Sequence, residues 1–169
     1  YQPSRGLGDV YKRQEFGEFR LDVWRDVIFD EHHFSLTKGS PEKVDVPMVR
    51  VQTQSVLQDT LGIDEIGKKW SIRKSLQKIS EEGTGVFVLI NHRDAKTYWL
   101  SSLKDENIEP KRNRRVIGIG SQILRSLGLS RINVLGTPTK YSGLSGFNIE
   151  IEGFIDCLLY TSDAADDDT

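Results

Sequence analysis

Apolar and polar residues alternate over the first part of the chain before they begin to recur at helical spacing. "FGEFRLDVWRD" alternates loosely through Phe16, Glu18, Phe19, Leu21 and Val23, which predicts a strand. "HHFSLTKG" and "VPMVRVQTQ" predict two more, separated by the turn residues Gly39, Ser40 and Pro41. The period then changes. In "SIRKSLQKISEEG", Ile72, Leu76 and Ile79 fall on one helical face, Ser71 is placed to cap the start, and Gly83 is placed to stop it. The continuous apolar run Val86 to Ile90 in "GVFVLI" predicts a buried strand. "GIGSQILRSLG" predicts a second helix, with Ile119, Ile123, Leu124 and Leu127 inward and Gly128 as its left-handed stop, feeding a strand in "RINVLG". Between these units, "KDENIEPKRNRR" has few apolar anchors and reads as an exposed loop or partly disordered segment. A β meander followed by two helix-to-strand units predicts an α/β fold, a mixed β-sheet with flanking helices.

The two ends change the bulk picture. "SRGLGDVYKRQ", Ser4 to Gln14, and "CLLYTSDAAD", Cys157 to Asp166, look like in-frame translations of the adapters used to prepare sequencing libraries. Residues 1–14 and 157–169 are therefore expected to be adapter-derived tails, with a natural domain at 15–156 that is a fragment of a longer protein. The 169-residue chain carries 23 basic and 25 acidic residues, and without the tails the two signs balance. A neutral body gives no reason to expect a nucleic acid or a membrane as partner. The one cysteine, Cys157, lies in a tail, so the body can form neither a disulfide nor a thiolate metal site. No apolar run approaches the roughly 20 residues that cross a bilayer, and no signal peptide is visible. A neutral, cysteine-free domain points to the cytoplasm.

Four blocks carry a family resemblance: "GEFRLDVWRDVIFDEHHFSLTKG", "VPMVRVQTQSVLQDTLG", "RRVIGIGSQILRSLGL" and "KYSGLSGFNIEI". Their order and spacing resemble the GTP cyclohydrolase II family of riboflavin biosynthesis over most of Phe16 to Ile155. The resemblance is closer still to the divergent copy of that domain at the C-terminus of some 3,4-dihydroxy-2-butanone 4-phosphate synthases. It implies a GTP cyclohydrolase II-like fold. It also implies a missing N-terminal synthase domain of the same chain as partner, with magnesium as that domain's cofactor, and a possible homodimer.

In active members of the family, three cysteine thiolates around "RVHSEC" and "RCDCG" hold a zinc whose bound water attacks the guanine ring. Such a centre needs three protein ligands and an open position. This chain keeps Arg50, Val51, Asp59 and Gly62, but the family's histidine is Gln52, its glutamate is Gln54 and its first cysteine is Ser55. The stretch Ile63 to Leu76 supplies neither of the other two cysteines. A serine hydroxyl stays protonated at neutral pH and is a poor zinc ligand, so no metal is expected in this fragment. Elsewhere the family's "DxRDYG" is "NRRVIG". Asn113 stands at the acid–base position, where an amide cannot exchange a proton at useful pH. Arg115 keeps the arginine position, and Val116 and Ile117 replace the next aspartate and aromatic. The family's glycine-rich triphosphate loop has no counterpart in the glycine-free Asn91 to Lys104, whereas "GTPTK" keeps Lys140.

The resemblance thus leaves Asn113 and Arg115 as vestiges of a catalytic site, and Arg50, Gln54, Arg115 and Lys140 as candidate nucleotide or phosphate contacts. Each cation reads equally well as a solvated or salt-bridged side chain. Gly118 and Gly120 open the second predicted helix and could cradle a phosphate, although close helix packing explains them better. His32 and His33 are adjacent on a strand and point to opposite faces, so they cannot easily share a metal, and His92 stands alone. "KRNRR", Lys111 to Arg115, has no aromatic residue within it and reads as a solvated loop, not a nucleic-acid patch. Trp24, Trp70, Phe87 and Phe147 are expected in the core. Three functions remain open: a non-catalytic GTP cyclohydrolase II-like domain supporting a synthase, an active hydrolase of GTP, and a module that binds a nucleotide or other anion without turnover.

Overall fold

A computed structural model describes residues 4–5, 9–13, 15–54, 59, 61, 70–91, 109–138 and 144–157. Its strands are β1 (Ser4–Arg5), β2 (Asp9–Arg13), β3 (Gly17–Asp26), β4 (Glu31–Lys38), β5 (Met48–Thr53), β6 (Gly85–Ile90), β7 (Arg131–Leu135) and β8 (Glu150–Ile155). Helix α1 (Ile72–Glu82) connects β5 to β6, and helix α2 (Glu109–Ser126) precedes β7. The described strands form one sheet in the order β1-β3-β4-β6-β5-β7-β8, with β2 also paired to β3. Pairing is antiparallel from the β1/β2 edge through β3, β4 and β6, and parallel through β6, β5, β7 and β8. The expected mixed α/β sheet with flanking helices is therefore observed. Strand β8 adds a parallel edge that hydropathy did not indicate, because Glu150, Glu152 and Gly153 interrupt its apolar pattern.

The two helices cover opposite faces, and strand alternation assigns each residue to one of them. On the α2 face, Val49 of β5 and Val86, Val88 and Ile90 of β6 pack with Ile119, Ile123 and Leu124, and Trp24 joins them from β3. On the α1 face, Met48, Phe87 and Leu135 pack with Leu76, Ile79, Trp70 and Phe19. Each such fully buried apolar side chain contributes about 1.5–3 kcal/mol by leaving water. Of the aromatic residues expected in the core, Trp24, Trp70 and Phe87 are buried and Phe147 is half-buried.

The helix ends follow the sequence chemistry closely. The Ser71 hydroxyl accepts from the Lys74 N–H at 3.2 Å, and Gly83 ends α1 at φ 83°. At the end of α2, Leu129 N–H donates to the Leu124 carbonyl and Gly128 N–H to that of Arg125, with Gly128 at φ 87°.

The start of α2 corrects two expectations. Helix begins at Glu109, so the charged run Lys111 to Arg115 is helical and not a loop. Pro110 sits in the first turn, where its missing N–H leaves no hydrogen bond unmade, and Lys and Arg are good helix formers. Gly118 and Gly120 consequently lie inside the helix and do not open it, so they present no helix terminus to a phosphate. Their role is close packing: a Cβ on Gly120 would fall 2.9 Å from Val51 Cγ1, and one on Gly118 would fall 3.4 Å from Phe147 Cζ.

Among the described residues, no helix is long and apolar enough to cross a membrane.

Candidate functional site

Parallel strands present their carboxyl ends on one edge of a sheet, where α/β folds commonly place ligands. Here that edge is formed by the ends of β5, β6, β7 and β8. Arg50 and Gln52 alternate with Val49 and Val51 and so belong to the α1 face, opposite Phe87 and Leu89 of β6. The Arg50 guanidinium donates from Nη1 to the Leu135 carbonyl at 2.9 Å and from Nη2 to the Trp70 carbonyl at 3.3 Å. From Nε it reaches the Gln52 Oε1 at 3.4 Å. Gln52 is buried, and its Nε2 donates to Asp59 Oδ1 at 3.1 Å. Trp70 closes the group by donating its indole N–H to the Ile155 carbonyl at 2.9 Å. The result is a hydrogen-bonded web that ties the ends of β5, β7 and β8 to Trp70, the residue before the Ser71 cap of α1.

This web lies where the resemblance puts a zinc centre, and its described residues lack the donors of one. Gln52 has an amide where the family has a histidine, and both ends of that amide are engaged by Arg50 and Asp59. The described donors are an amide, one carboxylate and a guanidinium. A hydrolytic zinc takes three protein ligands drawn from thiolates, imidazoles and carboxylates, and the described residues of the web offer one, Asp59, so they do not fit it. Gln54, exposed beyond the end of β5, is held by its backbone N–H to the Ile90 carbonyl at 2.9 Å. Ser55 and 63–69, where the resemblance puts the remaining ligands, lie outside the described residues, as do His92 and Lys140.

Arg115 stands elsewhere, on the α2 face, so the candidate anion contacts Arg50 and Arg115 do not converge on one site. Its guanidinium pairs through Nη2 with Glu31 Oε2, lies 3.8 Å from Asp26 Oδ2, and stacks 3.9 Å from the ring centroid of Phe29. Asp26 and Glu31 are cross-strand partners at the end of the β3–β4 hairpin, and their side chains are only 1% and 6% exposed. Asp26 also organises the turn, with Oδ1 accepting from the N–H groups of Ile28 and Phe29. The turn exposes Val27, Ile28 and Phe29. Asn113 is on the same helix, and its side chain lies outside the described residues.

His33 completes this group. As expected, His32 and His33 face opposite ways, one exposed and one fully buried. Buried His33 accepts from the Asn91 N–H at 3.0 Å through its Nδ1, which leaves the proton of the neutral ring on Nε2. One ligand atom from each of Asp26, Glu31 and His33 lies within 4.8 Å of the others. Two carboxylates and an imidazole can attract a cation, and among the described residues Arg115 is set against the two carboxylates. Sequence reading missed Asp26 and Glu31, and it weighed His33 only as a partner of His32. The available signal was the pairing of Asp26 with Glu31 and of Trp24 with His33 along a hairpin whose buried face is polar.

Comparison with known proteins adds the family. A family profile described as GTP cyclohydrolase II matches residues 9–156. A 3,4-dihydroxy-2-butanone 4-phosphate synthase of Pseudomonas aeruginosa is 30% identical over 147 residues, covering 83% of this chain and 40% of that protein. The riboflavin biosynthesis protein RibBA of Cytophaga hutchinsonii is 31% identical over 150 residues, covering 80% of this chain and 37% of its own length. The chain thus spans about two fifths of the length of these curated relatives. A solved two-domain 3,4-dihydroxy-2-butanone 4-phosphate synthase from A. baumannii shares the fold, with a TM-score of 0.66 and 24% identity over 91% of this chain and 40% of that one.

Proposed function

The chain belongs to the GTP cyclohydrolase II family, and from that premise we propose that it is a zinc-less, non-catalytic member, acting in riboflavin biosynthesis as one domain of a cytoplasmic 3,4-dihydroxy-2-butanone 4-phosphate synthase. The observation that carries this reading is the state of Gln52. A hydrolytic zinc centre needs an open coordination position and anionic or imidazole donors to sharpen a bound water. At this place in β5 the chain offers a carboxamide already bonded to Asp59 and Arg50. No thiolate stands in residues 15–156 to compensate. Asn113 in place of an acid removes the proton carrier as well.

The relatives supply the rest of the proposal. They are longer proteins named for the synthase step or for riboflavin biosynthesis. In this reading the remaining domain performs the synthase chemistry, with magnesium, and the present domain supports its fold or assembly. Arg50 argues against an anion-binding module at the strand ends, because its guanidinium donates to two backbone carbonyls and to Gln52. The test is incubation of the purified chain with GTP and zinc, followed for formate and pyrophosphate. The proposal expects neither product above a protein-free control; release of both in step with GTP loss would refute it.

A further inference from the structure

We infer that Glu31, assisted by Asp26, is an internal anion that occupies Arg115 and closes this position to any phosphate-bearing ligand. The inference rests on the non-catalytic reading and deepens it. Arg115 occupies the place where the resemblance puts a functional arginine, and from α2 it meets the β3–β4 hairpin through charge. Its partners are close and largely dehydrated: Glu31 is bonded to Nη2, Asp26 lies 3.8 Å from the same nitrogen, and both carboxylates are almost fully buried. A guanidinium offers its strongest binding to a bidentate or charge-assisted acceptor, and Glu31 already fills that role from within the chain.

Local charge reinforces the closure. Two carboxylates, those of Glu31 and Asp26, face the Arg115 guanidinium. An incoming phosphate would meet these carboxylates at short range in a partly dehydrated setting, where like-charge repulsion is strong. The approach to Arg115 is narrowed further by Phe29, whose ring lies 3.9 Å from the guanidinium carbon. Phe29 is fixed in turn by the Asp26 side chain, which accepts its backbone N–H at 3.2 Å. Asp26 thereby fixes both the charge and the aromatic screen.

The experiment uses inorganic pyrophosphate as probe and the full chain. In the wild-type protein, the guanidinium Nε–H signal of Arg115 in a proton–nitrogen NMR spectrum is followed during pyrophosphate addition, and it is expected not to move. Glu31→Gln keeps the shape of the side chain and removes the competing charge. It is expected to bind pyrophosphate about tenfold or more tightly than wild type by calorimetric titration, the scale of one charge-assisted hydrogen bond, and the gain should vanish in Glu31→Gln/Arg115→Met. A pyrophosphate-dependent shift of Arg115 in the wild type, or a folded Glu31→Gln variant with no gain, would overturn the inference. If Glu31→Gln does not fold, the wild-type signal alone decides. GTP turnover with an unmoved Arg115 signal would instead sink the functional proposal and leave this one standing.

Discussion

Gln52 and Asp59 are joined by a hydrogen bond of 3.1 Å from the buried end of β5 to a residue beyond it. The same amide accepts from Arg50, which donates in turn to carbonyls of β7 and of the residue preceding α1's cap. The edge of the sheet where the family resemblance places metal chemistry is thus closed by neutral and ionic hydrogen bonds that hold strands together.

This closure predicts a cost for Gln52→Leu. The change removes a donor and an acceptor from a buried position and leaves Asp59 and Arg50 short of one bond each, so a loss of about 1–3 kcal/mol is expected. Urea denaturation followed by tryptophan fluorescence measures it. Stability equal to wild type would show that the web does not hold the strand ends.

Contact between α2 and β5 predicts that Gly120→Ala destabilises. A Cβ there falls 2.9 Å from Val51 Cγ1, and overpacking of this kind costs about 1–3 kcal/mol. Val51→Ala should restore part of the loss when combined with it, because the added and removed carbons meet at one place. Thermal midpoints of the four proteins test the coupling, and simple additivity would contradict it.

Arg115→Met should unfold the hairpin contact. It takes the Arg115 guanidinium away from two buried carboxylates, and with Arg115 itself 29% exposed the expected loss is about 2–4 kcal/mol, near the lower part of the range for broken buried pairs. Denaturant midpoints measure the change. A loss under about 0.5 kcal/mol, typical of exposed pairs, would show that the cluster is solvated in solution.

These residues also show what the sequence could reveal. The strands were legible where one face was apolar, and both helix stops were legible because Gly83 and Gly128 adopt the left-handed conformation that stops require. The first turns of α2 were not, because a helix that turns Arg115 toward carboxylates shows no apolar stripe over those turns. The buried polar cluster was hidden for the same reason. On β4, Glu31, His33, Ser35 and Thr37 are the buried positions, while Phe34 and Leu36 on the other face are only half-buried. A reading that equates inside with apolar inverts that strand. The charge of Arg115 and the hydrogen bond from the Trp24 indole to Ser35 Oγ, at 2.9 Å, make the polar face buriable.

Capping gives a smaller, independent check. Ser71→Ala removes the hydroxyl that accepts the Lys74 N–H at 3.2 Å and the start of α1 should lose about 1 kcal/mol. Ser71→Asp should keep most of it. Amide exchange at the first turn of α1 reports the effect locally; equal loss in both variants would mean that the hydroxyl is not the cap.

The most direct test of the central claim is the zinc content of the purified chain. The protein is expressed in zinc-supplemented medium, desalted, and measured by inductively coupled plasma mass spectrometry beside a thiolate-bearing relative of the same family. The donor set around Gln52 predicts far less than one zinc per chain. One tightly held zinc per chain, retained through desalting, would contradict it.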